Sequence, residues 1–247
     1  DADPANDWRF GADNGVPGVL TLRAAGSVRI NQSLSDVFSD AIATVNGLEV
    51  AYERLAVHES WRYRIVAGAD ANSADVLATT ANANANLMLA ANTLVRTGSG
   101  DIELAAGGDI ELGDGAAIYT AGLNSGFGPL GGEDVNLDLF INFGEFDVIP
   151  GTGEEFLLTY LNKGQFPMQG GDIRVNAGGD LSGRAQEVKV TDWQSRLSGN
   201  LPGVDVQNVP TYWAIAFDRF NNGIGALGGG NVSTRVGGDL RNLAIAL

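Results

Sequence analysis

An internal repeat with a beat of eight residues constrains this chain more than any other feature. Gly98-Ser99-Gly100-Asp101-Ile102-Glu103-Leu104 aligns with Gly107-Gly108-Asp109-Ile110-Glu111-Leu112 at a shift of eight. One more step places Ile118 and Thr120 where Ile110 and Leu112 stood, and one step back places Leu94 before Ile102. The unit returns as Gly170-Gly171-Asp172-Ile173-Arg174-Val175 with Gly178-Gly179-Asp180-Leu181, and as Gly229-Gly230-Asn231-Val232-Ser233-Thr234 with Gly237-Gly238-Asp239-Leu240. Near the start, Gly18-Val19-Leu20-Thr21-Leu22 is followed by Gly26-Ser27-Val28-Arg29-Ile30 at the same shift. Fixed-period self-similarity is the signature of stacked repeat architectures.

Each unit reads as a short strand and a corner. Ile102 and Leu104 alternate with Asp101 and Glu103, so the apolar pair lies on one face of a strand. The glycine pair allows positive φ and a tight bend. The Asp or Asn after it bonds nearby backbone N–H groups and holds that bend. Three strands and corners form a coil of roughly 24 residues, within the range of solenoid repeats, and coils stack strand on strand at about 4.8 Å. The expected fold is therefore all-β, a parallel β-helix. Ile102, Leu104, Ile110, Leu112, Ile173, Val175, Val232 and Leu240 should share one continuous core. A hairpin sandwich is the rival, but it calls for Asn-Gly or Asp-Gly turns that most of these corners lack.

The chain of 247 residues reads as a single solenoid segment, 1–247, with regular coils near 18–30, 76–122, 170–182 and 229–247. Insertions occupy 31–75, 123–168 and 184–228, read as loops or side elements projecting from the solenoid. Within the first insertion, His58 to Val66 alternates like a strand. Within the second, Thr152 and Glu155 have capping-box spacing and Gly164 stands where a helix would stop, which predicts one short helix near 154–163. The run Ala81-Asn82-Ala83-Asn84-Ala85-Asn86 has strict period two. It suits either a coil with a stacked Asn ladder or a flexible link.

Composition narrows the function. The 35 glycines are about twice the usual share of roughly 7%, as frequent turning requires. The net charge is −15, and the only lysines are Lys163 and Lys189. A nucleic-acid partner needs a basic stripe, and the sequence has none. No run of about 18 apolar residues offers a membrane span. Cys is absent, which suits export through an oxidising periplasm as well as the cytosol. The chain opens on Asp1 with no signal segment, as expected of a processed product or an internal segment.

Leu20-Thr21-Leu22-Arg23-Ala24-Ala25-Gly26-Ser27-Val28 and Thr97 to Ile110 resemble the repeat of filamentous-haemagglutinin-like exoproteins. Ser60-Trp61-Arg62-Tyr63-Arg64-Ile65-Val66-Ala67-Gly68-Ala69-Asp70 and Gly225 to Val232 are similar to the C-terminal half of a large subgroup of them. The resemblance runs in pieces from about residue 18 to 247. It implies a right-handed parallel β-helix, export by two-partner secretion through an outer-membrane barrel, and a secreted, cell-surface protein serving adhesion or filament formation. The family's N-terminal secretion domain has no counterpart in these residues. Partners implied are further copies or more of the same chain, and host-cell or biofilm glycans and proteins.

No catalytic, cofactor or metal site is assigned from the sequence. His58 is the lone histidine, so nucleophilic catalysis through a Ser–His or Cys–His pair has no constellation; it reads as a structural or surface residue. Asp101, Glu103, Asp109, Glu111 and Asp114 offer oxygens to calcium, but the nonapeptide calcium pattern is missing, and corner or solvent-face roles are expected instead. The enzyme alternative is a polysaccharide-binding or polysaccharide-degrading β-helix acting through paired carboxylates. Trp193, Tyr212 and Trp213 are the candidates for sugar stacking, against a simpler role wedging a side element onto the solenoid. Asn31-Gln32-Ser33 and Asn231-Val232-Ser233 match glycosylation sequons, which carry no weight in a bacterial exoprotein. Leu243 to Leu247 is apolar and alternating with no polar cap after it. The last coil is therefore expected to be covered by more chain, a second copy or a side element.

Overall fold

A computed structural model describes residues 8–9, 16–36, 38–45, 48–55, 58–123, 163–165, 167–185, 189–197 and 212–247. They form a parallel β-helix of five coils, each contributing one strand to each of three parallel sheets. The first sheet stacks Val19–Ala24, Arg62–Ala67, Ile102–Ala106, Ile173–Ala177 and Val232–Val236. The second stacks Val28–Ile30, Leu87–Leu89, Ile110–Leu112, Leu181–Ser182 and Leu240–Arg241. The third stacks Leu34–Asp36, Leu94–Thr97, Ala117–Thr120, Gly223–Ala226 and Ala244–Ala246, with Trp8–Arg9 as a sixth strand beside Leu34–Asp36.

Register explains the beat. Ile102, Ile110 and Ile118 sit in one uninterrupted coil, one on each sheet, and all three are fully buried. Column by column, Leu20, Tyr63, Ile102, Ile173 and Val232 stack, and so do Val28, Leu87, Ile110, Leu181 and Leu240. Each buried Leu, Ile or Val contributes about 1.5–3 kcal/mol by leaving water. The core columns run from Ile30 and Leu34 through Ile224 as one cluster.

Two sequence expectations are corrected in these columns. The backward step of eight lands on Leu94, but the residue stacked on Ile118 is Val95, and Leu94 faces outward toward a second apolar cluster. Around the corner at Gly98-Ser99-Gly100 the step between core positions, Val95 to Ile102, is seven residues, one fewer than the steps from Ile102 to Ile110 and from Ile110 to Ile118. Leu240 keeps its register over Leu181 yet remains 46% exposed, because among the described residues no coil lies beyond it. Val232 is only partly buried for the same reason.

The stretch 31–75 contains two solenoid strands, Leu34–Asp36 and Arg62–Ala67. Between them rises an antiparallel hairpin of Phe38–Val45 and Leu48–Leu55. Lys163–Gln165, Tyr212–Ala216 and Gln194–Leu197 make a second side element, a three-stranded antiparallel sheet. Its strand Gln194–Leu197 is preceded by one helical turn, Val190–Trp193. The helix expected near 154–163 falls on residues 154–162, which lie outside the described set, and at its end Lys163 and Gly164 are in a strand. Residues 81–86 form no strand. Asn82 turns the chain by accepting the N–H of Asn84 at 3.1 Å, and of the expected Asn stacking it is Asn86 that bonds the next coil, its Oδ1 accepting the N–H of Asp109 at 2.9 Å.

Candidate functional site

The corners hold the first notable chemistry. Ser27 Oγ accepts the N–H of Asn86 at 3.0 Å, and Asn86 Oδ1 accepts the N–H of Asp109 at 2.9 Å. Asp109 Oδ1 then accepts the N–H of Asp180, and Asp180 Oδ1 the N–H of Asp239, both at 2.8 Å. One side-chain ladder thus climbs through all five coils at the corner between the first and second sheets. A shorter ladder climbs the corner before the first sheet, where Asp101 accepts from Asp172, and Asp172 from Asn231, at 2.9 Å each. The expected role of these residues is therefore corrected: they bond to the next coil and not within their own bend. Corner N–H groups cannot join a strand ladder, and a carboxylate or amide oxygen is the nearest acceptor.

The paired glycines divide between two reasons. Gly229 and Gly230 take the positive φ expected of such a pair, at 83° and 117°. Gly107, Gly108, Gly178, Gly179, Gly237 and Gly238 do not occupy the left-handed region. They are glycine because of space: a Cβ on Gly178 would stand 2.3 Å from Gly107 O, and one on Gly237 2.2 Å from Gly178 O. At the corner after the second sheet, left-handed backbone recurs coil by coil, with Asn92, Gly115, Asn222 and Asn242 supplying one such residue in each of four coils.

The acidic residues with oxygens suited to calcium are dispersed. Asp101 pairs with Arg62 at 2.8 Å. Glu103, nearly enclosed, lies between Arg64 at 2.7 Å and Arg174 at 3.4 Å on the outer face of the first sheet. Glu111 pairs with Arg184 at 3.1 Å, and Asp109 serves the ladder. Asp114 is exposed on the second corner. Among the described residues no three His, Asp or Glu side chains converge on a point where a cation would sit. His58 is exposed beside the start of the Trp61 strand.

The outer face of the third sheet is covered. Tyr119 stacks on Phe217 and meets Phe220 edge-on, Phe220 meets Trp193, and Phe38 packs against Phe217. Both side elements are thereby fastened to the solenoid by a second apolar core. Trp193 is 7% exposed, so it offers no face to a sugar. The side chains of Tyr212 and Trp213 lie outside the described set. Arg96 is buried in this layer: Nε donates to Ser35 Oγ at 2.7 Å, one terminal nitrogen donates to Tyr119 Oη at 3.2 Å, and the guanidinium lies 4.5 Å from the Phe38 ring centre. Sequence reasoning missed Arg96, since an outward position in a strand ordinarily faces water and only its unpredicted cover makes it a buried cation. On the inner side, burial and then the nearby Asp36 carboxylate push the Tyr63 phenol far above its ordinary range, against a smaller opposing pull from Arg96.

A groove of about 460 Å³ crosses the outer face of the second sheet and its following corner. Met88, Leu89, Ala90 and Ala91 supply apolar surface, with Arg29, Glu111, Asp114 and Arg184 around it. Register brings Arg29, Met88 and Glu111 into one column from residues far apart in sequence. No helix among the described residues is long and apolar enough to cross a membrane. Comparison of the chain with models of protein families, with curated proteins and with solved structures gives no match in any of the three.

Proposed function

We propose that this chain is a structural segment of a secreted bacterial surface exoprotein, serving adhesion or filament formation as a stiff spacer. The observation that supports this reading most is the side-chain ladder from Ser27 to Asp239, in which corner oxygens are committed to holding coil on coil. Acids engaged in stacking are not free for chemistry, and Glu103 and Glu111 are likewise engaged by arginines. The resemblance of the repeats to filamentous-haemagglutinin-like proteins points the same way. Electron microscopy of the native material, joined to an adherence assay with the purified chain as competitor, tests it. Extended rods and competition support the role. Reproducible depolymerisation of an acidic polysaccharide, lost on replacing one carboxylate, would replace it with the enzyme reading.

A further inference from the structure

We propose that the groove on the second sheet binds a uronate-bearing glycan, with Arg29 holding the carboxylate. This site stands whether or not the solenoid acts as a spacer. The groove has the volume of a small-ligand site and the usual lining, apolar surface with a few polar groups at its edge. It reaches from Arg29 in the first coil, past Met88 in the second and Glu111 in the third, to Arg184 after the second strand of the fourth. At one rung per coil that is roughly 14 Å along the axis, long enough for an extended chain of sugars and not merely a single ring.

The chemistry selects the ligand class. Arg29 is exposed, and among the described residues its polar contact is a 3.5 Å approach to Met88 Sδ, with no carboxylate partner. Its planar fork matches a carboxylate bidentately. Glu111 and Asp114 are acceptors for hydroxyl groups, and Arg184, already paired with Glu111, donates beside them. Met88 and the alanines suit the C–H face of a sugar. A peptide gains little here, because the groove lies over a sheet face whose backbone groups are already paired in the ladder, and strand addition needs an open edge. A nucleic acid would find no aromatic platform for its bases in the lining.

Calorimetric titration of the 247-residue chain with an oligogalacturonate, against a neutral dextran oligomer of equal length, tests the site. The uronate oligomer should bind more tightly than the dextran. Arg29→Gln should weaken uronate binding by roughly tenfold or more, as loss of a charge-assisted pair does. Arg29→Lys should recover only a fraction of it, because the fork is lost. Ala91→Trp should block the groove to both ligands. Arg241→Gln, on the same face but paired with Asp180 and Asp239 and outside the groove, should leave binding intact. Thermal unfolding of each variant establishes that it is folded. Equal affinity for the two oligomers, no binding of either, or unchanged uronate binding in Arg29→Gln or Ala91→Trp would overturn the proposal.

Discussion

The side chain of Asp109 accepts the backbone N–H of Asp180 at 2.8 Å although 71 residues separate them. The bond closes one coil onto the next at a half-buried corner, so its donor has no strand partner and little water. Replacing Asp109 by Ala leaves that N–H unanswered, at a cost of about 1–3 kcal/mol. Asn keeps an acceptor oxygen, and Asn86 already fills the same role in the preceding coil. Asp109→Ala should lower the urea midpoint at unchanged m, and Asp109→Asn should recover most of it. Equal losses in both variants would show that charge, and not the acceptor, matters at this corner.

The glycines of the corners make a sharper contrast. Gly178 lies against the carbonyl of Gly107, and a Cβ would intrude to 2.3 Å of that backbone atom. Gly26 occupies the matching corner of the first coil and has nothing within 4 Å of its would-be Cβ. Gly178→Ala should destabilise by about 1–3 kcal/mol, as overpacking does. Gly26→Ala should be neutral or stabilise by up to about 1 kcal/mol, through the unfolded chain. Thermal midpoints of the two variants decide the matter. Similar losses at both sites would mean that corner glycines are needed for backbone freedom and not for close stacking.

These corners also show how far the sequence can be read. Alternation at Ile102/Leu104 and the step to Ile110 and Ile118 reveal strands and core because period two and a fixed corner length leave a local trace. The partner of Asp109 leaves none, since it lies in another coil across an insertion whose length the repeat does not encode. Leu94 is misplaced by the repeat for a related reason: the corner after Thr97 is one residue shorter, and one residue reverses the face. The groove around Arg29 is invisible in the sequence because its members come from separate coils and meet only through register. Arg96 and Trp193 depend on what covers the third sheet, and that cover comes from side elements packed from afar.

The second apolar core predicts a separable side element. Phe220 meets Tyr119 and Trp193 edge-on, with ring centres 5.7 and 5.2 Å away. Phe220→Ala removes both contacts and opens a cavity, at about 3–5 kcal/mol. The loss should be felt locally, because the inner core columns do not include Phe220. Limited proteolysis should cut faster within 189–222, with protection of the first-sheet strands retained in hydrogen exchange. Loss of protection in both regions together would show that side element and solenoid form one cooperative unit.

Tyr63 predicts an alkaline limit. Its phenol is held protonated in the fold, well above the ordinary 10.0, by burial and by Asp36. Below pH 10 the tyrosine is neutral in both folded and unfolded chains, so its contribution is fully present. Above pH 10 the unfolded chain releases the proton while the folded chain keeps it, so stability falls by up to about 1.4 kcal/mol per pH unit from this group. Denaturant melts between about pH 9 and pH 11 should show that decline, and Tyr63→Phe should flatten it. An identical slope in the variant would place the alkaline sensitivity elsewhere.

The two ends of the solenoid predict how copies meet. Head-to-tail stacking would lay the first coil of one copy on the last coil of another, bringing Val19–Ala24 onto Val232–Val236 and Val28–Ile30 onto Leu240–Arg241. Half-exposed Leu240 and Ile245 favour such cover. Continuing the columns sets Arg23 over Arg235 and Arg29 over Arg241, like charges on top of the overall −15. The third-sheet position beside Leu34 is also held by Trp8–Arg9, where a partner's Ala244–Ala246 would have to lie. Self-association should therefore be weak at low salt and strengthen as salt screens the arginines. It should rise further when residues 1–15 are removed, and Arg241→Glu should raise it at low salt by meeting Arg29. Sedimentation across a salt series measures all three. A monomer at every salt for the full chain, the truncated chain and Arg241→Glu alike would show that these ends do not recognise each other.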